Sequence, residues 1–572
     1  SDYDSISRRV KGIGETSRLP LNKNNIEMGD AQGSLKNLLA LCFLAGFVTL
    51  SSQASTPCAL RKYPAGLVCV CNATYCDYLE NPSPENENEF VIVSSSKAGL
   101  RFDITSGAIN ASDFTQVVDY NESLENATQE KIVFEKAAPR TVTIQVDREK
   151  HYQNITGFGG SFTGAVSYIL DNLSQDIQDH IYKSFYSPHG IGFNLMRTSI
   201  GGSDFELAPW AYNELPENDT TLSNFTQLDP RDEKRIEQIK RLKLVTNVEN
   251  LRIKAAAWSP PRWMKTNNKW TGMSRLKEEY YQTWADYHVR WLELWEEGGL
   301  PIWAISTGNE PTNGVYLMMF AKFMSLGWTP RKQAVWVSDN LGPTIRSKYQ
   351  DLVIFGNDDQ RYTFSFWFKM MKAKRSDSVD YLTGLSVHWY WDDIFEPVFI
   401  DDARKEMPDK IMLVSESCIG DKPWQSAVPI LGSWKRGEKF ARNFLQSLQH
   451  DFNGWIDWNI VLDEQGGPNY VSNFVDAPSV ANMTNLNEFY KQPMFYTMGH
   501  FSKFIPEGST RIAAERTNVN VDTVAFLRPD GSVAVVIFNS GYASVNVEVR
   551  DTKQGSIKIN IPQKSIHTIL YK

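Results

Sequence analysis

Between residues 158 and 459, eight short apolar runs alternate with longer, helix-patterned stretches. The runs fall at 158–162, 193–198, 251–258, 301–306, 352–356, 384–389, 411–415 and 454–459, with helical patterning at 233–244 and 275–297 among the intervening stretches. Strands alternating with helices predict an α/β fold with a parallel sheet, and eight is the count that closes a (β/α)8 TIM barrel. An open, doubly wound sheet is the competing architecture, but no Gly-rich phosphate loop follows the first run. In a barrel, the working groups stand at the C-terminal ends of the strands.

The ends of the chain differ from its middle. Segments 90–94, 142–146, 524–527, 533–538 and 545–549 are β-branched or alternating, with turn signals such as Pro529-Asp530-Gly531 between them, and predict a β-sandwich built from both termini. At 572 residues the chain exceeds one hydrophobic core, so several domains are expected. The net charge of -8 argues against a nucleic-acid partner, which needs a basic face.

Residues 38–50 form an apolar run after Lys36 and before Ser52-Gln53-Ala54, the outline of a signal peptide over 34–54 cleaved near Ala54. Thirteen residues fall short of the roughly 20 that span a bilayer; a core helix and an uncleaved anchor remain the alternatives. Residues 1–33 are polar and unpatterned, as expected of disorder or an upstream extension, with Met28 a candidate start. Cys58, Cys69, Cys71 and Cys76 then crowd into a short stretch. Export favours disulfides over a zinc knuckle. Three pairings are open, of which Cys58 with Cys69 and Cys71 with Cys76 closes two short loops without crossing. Cys418 is left over, on the same strand face as Glu416, as a small buried hydrophobe or a site residue. Sequons at Asn72, Asn110, Asn121, Asn126, Asn154, Asn172, Asn218, Asn224 and Asn482 predict glycosylation wherever they reach the surface.

The strand ends carry the chemistry. Asp204 and Phe205 follow the second run, Trp258 closes the third, Asn309 and Glu310 close the fourth, and Asp358 and Asp359 follow the fifth. His388, Trp389 and Tyr390 close the sixth, Glu416 the seventh, and Asp457 and Trp458 the eighth. Two carboxylates on one rim suffice to hydrolyse a glycosidic bond: Glu310 as general acid and Glu416 as nucleophile, kept ionised by Arg197 and Tyr390. A separation of about 5 to 5.5 Å would mean retention of configuration, and more than roughly 6.5 Å inversion. Aromatic faces and polar groups around them suit a sugar. No histidines cluster at metal-ligand spacing, so neither metal nor cofactor is expected.

Several blocks carry a resemblance: Val68-Cys69-Val70-Cys71-Asn72-Ala73-Thr74-Tyr75-Cys76, Gly157-Phe158-Gly159-Gly160, Asn309-Glu310-Pro311, Val387-His388-Trp389-Tyr390 and Ser415-Glu416-Ser417-Cys418. Gly454-Trp455-Ile456-Asp457-Trp458-Asn459, Tyr490-Lys491-Gln492-Pro493-Met494-Phe495-Tyr496 and Phe501-Ser502-Lys503-Phe504-Ile505-Pro506-Glu507-Gly508 are the most specific. From about Cys58 onward the chain resembles the glucosylceramidases of glycoside hydrolase family 30. The resemblance implies Glu310 as acid/base and Glu416 as nucleophile of a retaining β-glucosidase. It further implies Asp204, Trp258, Asn309 and Trp458 around the glucose, Arg197, His388 and Tyr390 around the nucleophile, and Phe205, Phe323 and Asn473 at the entrance. Also implied are glucosylceramide in membranes as substrate, an anionic lipid surface, a saposin-type activator and a lysosomal location reached by the secretory pathway, peripheral to the lumenal membrane face.

Together these readings divide the chain into a barrel (149–460 and 492–507), a sandwich (83–148 and 508–572) and a small disulfide-containing β segment (55–82, joined by about 461–491). A lipid substrate would call for apolar side chains at the pocket mouth, for which Trp210, Tyr212 and residues 316–320 are candidates beside ordinary loop packing. A family activity on a polysaccharide and a silent sugar- or lipid-binding protein are the competing functions; loss of a carboxylate would have marked the latter, and both are present.

Overall fold

The computed structural model describes residues 55–572 apart from 120–139, 316–321, 423, 427, 518 and 520. The leader, the 1–33 extension, Asn121, Asn126 and the 316–320 run lie outside the described residues. Eight parallel strands close into a barrel: β1 (Gly157–Ser161), β2 (Leu195–Ser199), β3 (Arg252–Ala256), β4 (Ala304–Ser306), β5 (Val353–Gln360), β6 (Gly384–His388), β7 (Ile411–Glu416) and β8 (Gly454–Asn459). They pair in sequence order, and β8 closes on β1 with Gly454 opposite Gly157. Both faces of each strand are covered, which is why the runs read as continuously apolar. Leu195, Ala304, Val353, Phe355, Leu413 and Ile456 fill the barrel's inside.

The outer helices are set by local signals. Helix Pro230–Thr246 starts where the Asp229 side chain accepts from the Arg231 N–H at 3.0 Å and proline occupies the first turn; it stops at Asn247, left-handed at φ 54°. Helix Trp434–Gln449 lays Phe440 and Phe444 against Trp455 of β8, with ring centroids 5.4 and 4.1 Å away.

Trp210 and Tyr212 do not protrude. Both are buried, and the cause lies 20 residues downstream for Tyr212: Asp232 accepts from its hydroxyl at 2.6 Å and from the indole N–H groups of Trp291 and Trp295 at 3.2 Å. A buried carboxylate needs such donors, so the loop after β2 folds back under them.

A ten-stranded sheet unites strands from both ends of the chain, with Thr141–Asn154 lying between Thr510–Arg516 and Val545–Asp551. It curls so that Phe90 and Ile92 share one core with Val547 and Val549. Helix Pro493–Ser502 joins it to the barrel through buried His500, which hydrogen-bonds Ser95 and Thr568. A third, five-stranded sheet sets Leu60–Tyr63 and Gly66–Asn72 beside Glu488–Lys491, Ser479–Ala481 and Val461–Asp463. Cys58 is bonded to Cys69 and Cys71 to Cys76. Of the described sequons, Asn110, Asn154, Asn172, Asn218 and Asn224 are exposed and Asn72 is half-buried. Asn482 is buried, and its Nδ2 donates to the Tyr490 hydroxyl.

Candidate active site

Glu310 and Glu416 meet above the barrel's C-terminal end. Glu416 ends β7, while Glu310 stands four residues beyond β4 with φ +44°, a backbone state that costs a non-glycine residue energy. Gly308, at φ +138°, makes the turn possible. Hydrogen bonds from the N–H of Asn309 to Ala257 O and of Glu310 to Asp358 O, both 2.9 Å, fix it. One oxygen of each glutamate and a ring nitrogen of His388 lie within 4.8 Å of one another.

The two carboxylates have different surroundings. Glu416 receives Arg197 Nη1 on Oε2 and the Tyr390 hydroxyl on Oε1 at 2.6 Å. Glu310 receives Gln360 Nε2 at 2.8 Å and His388 Nδ1 at 2.9 Å on Oε1, and Asn313 on Oε2. His388 is thus nearer Glu310 than Glu416, whose Oε2 is 3.9 Å away. Burial opposes charging His388, yet Glu416, Asp358 and Glu310 raise it to about 10, so the ring is an imidazolium. The trio could offer ligand atoms to a cation, but the Arg197 guanidinium already sits on Glu416.

These groups open onto a cavity of about 640 Å³. All the residues that the resemblance places at the site line it except Arg197 and His388, which are fully buried beneath; of the other strand-end residues, Asp358, Asp359, Trp389 and Asp457 are buried and do not line it. Trp258 stacks on Trp458 with centroids 5.5 Å apart, Phe205 meets Trp458 edge-on, and Arg197 lies 4.9 Å over Trp258. Asn473 donates to Asp204 Oδ2 at 3.0 Å. Phe323 is half-buried on the wall. The Cys418 thiol sits 3.5 Å from the Tyr390 hydroxyl, and burial holds it well above the ordinary thiol range.

Burial and then the Glu416 charge lift Asp204 to about 7. Its unfolded carboxyl ionises near 3.8, so the folded chain holds the proton longer and stability falls as pH rises between these values. Asp204→Asn is expected to add about 2–4 kcal/mol at pH 7.5 and little at pH 4, while kcat/KM falls. Thermal unfolding at both pH values checks this; an equal shift at both contradicts it.

Sequence reasoning missed Gln360, Asn313 and Lys254. β5 runs to Gln360 because a bulge between Asn357 and Asp359, with φ +72° at Asn357 and +52° at Asp358, lets the strand continue past Gly356. Asn313 lies three residues after Glu310, within the same turn, a spacing that could have flagged it.

Residues 155–505 match the Glycosyl hydrolase family 30 TIM-barrel domain, and 508–569 the Glycosyl hydrolase family 30 beta sandwich domain. The chain is 34% identical over 523 residues to mouse lysosomal acid glucosylceramidase, covering 90% of this chain and 96% of that one. In fold it is similar to SrfJ from Salmonella typhimurium, with TM-score 0.72, 22% identity, and 85% of this chain and 99% of that one covered. An endo-β1,6-glucanase gives TM-score 0.70 at 22% identity, over 85% of this chain and 99% of the other.

Proposed function

Because the chain belongs to glycosyl hydrolase family 30 and is a glycoside hydrolase, we propose that it removes glucose from glucosylceramide with retention of configuration. Glu416 attacks the anomeric carbon while Glu310 protonates the departing oxygen; water, deprotonated by Glu310, then releases glucose. The observation that carries this reading is the glutamate pair, with one oxygen of each within 4.8 Å and with Arg197 and Tyr390 on Glu416 rather than on Glu310. Two carboxyls whose nearest oxygens are this close support direct attack by Glu416 over an interposed water. Trp258 and Trp458 offer an apolar floor to the sugar, and Asp204 and Asn309 accept from its hydroxyls.

A membrane substrate is supported by the rim. Leu207, Ile394, Val398 and Trp424 are 51–69% exposed on segments that follow β2, β6 and β7, the face on which the cavity opens. Among the described residues no helix is long and apolar enough to cross a membrane, so these side chains would dock the enzyme peripherally on an anionic lipid surface. The similarity to the mouse lysosomal enzyme supports a lysosomal location; a saposin-type activator would serve by presenting the lipid.

The test is glucose release at mildly acidic pH from glucosylceramide in anionic vesicles, beside a soluble aryl β-glucoside and a β-1,6-glucan. Combining Ile394→Ser with Val398→Ser is expected to lower vesicle activity about tenfold, from the lost apolar burial, and to leave aryl glucoside cleavage unchanged. Release from the glucan and none from vesicles would instead assign the chain a polysaccharide.

A further inference from the structure

Lys254 is fully buried on β3, with its Cα paired to those of Arg197 on β2 and Ala304 on β4. Two cations side by side inside a barrel are costly unless anions meet them. Asp358 is that anion: Lys254 Nζ donates to its Oδ1 at 2.9 Å and its Oδ2 at 2.8 Å, and the hydroxyls of Ser386 and Ser415 complete Oδ1. Arg197 therefore faces two carboxylates and divides unequally. Its Nη1 is on Glu416, and its Nη2 is 2.7 Å from Asn309 Oδ1 but 3.4 Å from Asp358 Oδ2.

We propose that Lys254 is a positioning residue for the hydrolytic site: by saturating Asp358, it leaves Arg197 committed to Glu416 and Asn309. The inference rests on Glu416 being the nucleophile. Without the ammonium, Asp358 is a buried carboxylate whose nearest remaining cations are Arg197 and His388, the latter with Nε2 3.5 Å from Oδ1. The guanidinium then turns toward Asp358 and uncovers Glu416. Around Glu416, Arg197 from β2 and His388 from β6 favour its charge. Glu310 beyond β4, Asp358 from β5 and Asp204 after β2 oppose it, while Tyr390 donates to it and Cys418 stands behind that tyrosine. Weakening the Arg197 contact leaves the Glu416 carboxylate without its closest cation.

The experiment compares the full chain with Lys254→Met and with the double variant Lys254→Met, Asp358→Asn, measuring kcat, KM and pH profile on an aryl β-glucoside. For the single variant, kcat is expected to fall about 10- to 100-fold with KM within about threefold, and the acid limb of kcat/KM to move up about one pH unit. The double variant leaves neither charge unpaired, so it is expected to recover at least about tenfold in kcat and the parent's acid limb. A single variant with the parent's pH profile, or a double variant no more active than the single, overturns the proposal. If the single variant does not fold, the double decides: a parent-like acid limb supports the proposal and a displaced limb overturns it. An inactive parent would contradict the assignment of Glu416 instead, which separates the two failures.

Discussion

Glu416→Gln is expected to cut kcat by roughly 10³-fold or more on every β-glucoside while KM changes little. The amide keeps the size of the carboxylate and can still accept from Tyr390, so the loss is one of charge: a neutral amide neither attacks the anomeric carbon nor offsets the developing positive charge there. Binding is expected to survive because the proposed sugar contacts, Trp258, Trp458, Asp204 and Asn309, are unchanged. Arg197 loses its principal anion, and Asp358, 3.4 Å from Nη2, is the group that takes it up. Steady-state kinetics on vesicles and on an aryl glucoside measure the effect, and a loss under about tenfold would remove Glu416 from the nucleophile's role.

Glu310→Gln should separate substrates by leaving group. Ceramide departs as an alkoxide unless protonated, so cleavage of the lipid is expected to slow by about 10²- to 10⁴-fold. An activated phenol departs unaided, and with such a substrate the first step survives while release of the glycosyl enzyme stalls for want of a base. A burst of phenol follows, and azide, which needs no deprotonation, speeds turnover. Equal losses on both substrates, with no response to azide, would exclude Glu310 as the acid/base.

Much of this was legible in the sequence, and the reasons differ by element. The eight strands could be read because both of their faces are buried and their residues are apolar without interruption. The glutamates were found because β4 and β7 each deliver one at the working rim. Less legible was anything set by a departure from regular backbone. The bulge in β5 moved Gln360 onto Glu310, and the positive φ of Glu310 aims a carboxylate that no periodicity locates. Trp210 and Tyr212 stood as candidates for the pocket mouth because the groups they pack against, Asp232 for Tyr212 and Arg231 over the Trp210 ring, are charged residues on the next helix, where sequence alone suggests a solvated face. Lys254 was hidden inside an apolar run; its meaning depends on the inward parity it shares with Arg197, which only the barrel's register reveals.

The most direct test of the account is the mass of the enzyme after reaction with a 2-deoxy-2-fluoro-β-glucoside bearing a good leaving group, whose fluorine slows the second step and lets the first product accumulate. Double displacement predicts a one-to-one fluoroglucosyl adduct, carried by the peptide that contains Glu416. Turnover without any adduct, with glucose emerging first as the α-anomer, would mean that water attacks directly and that Glu416 is a base rather than the nucleophile.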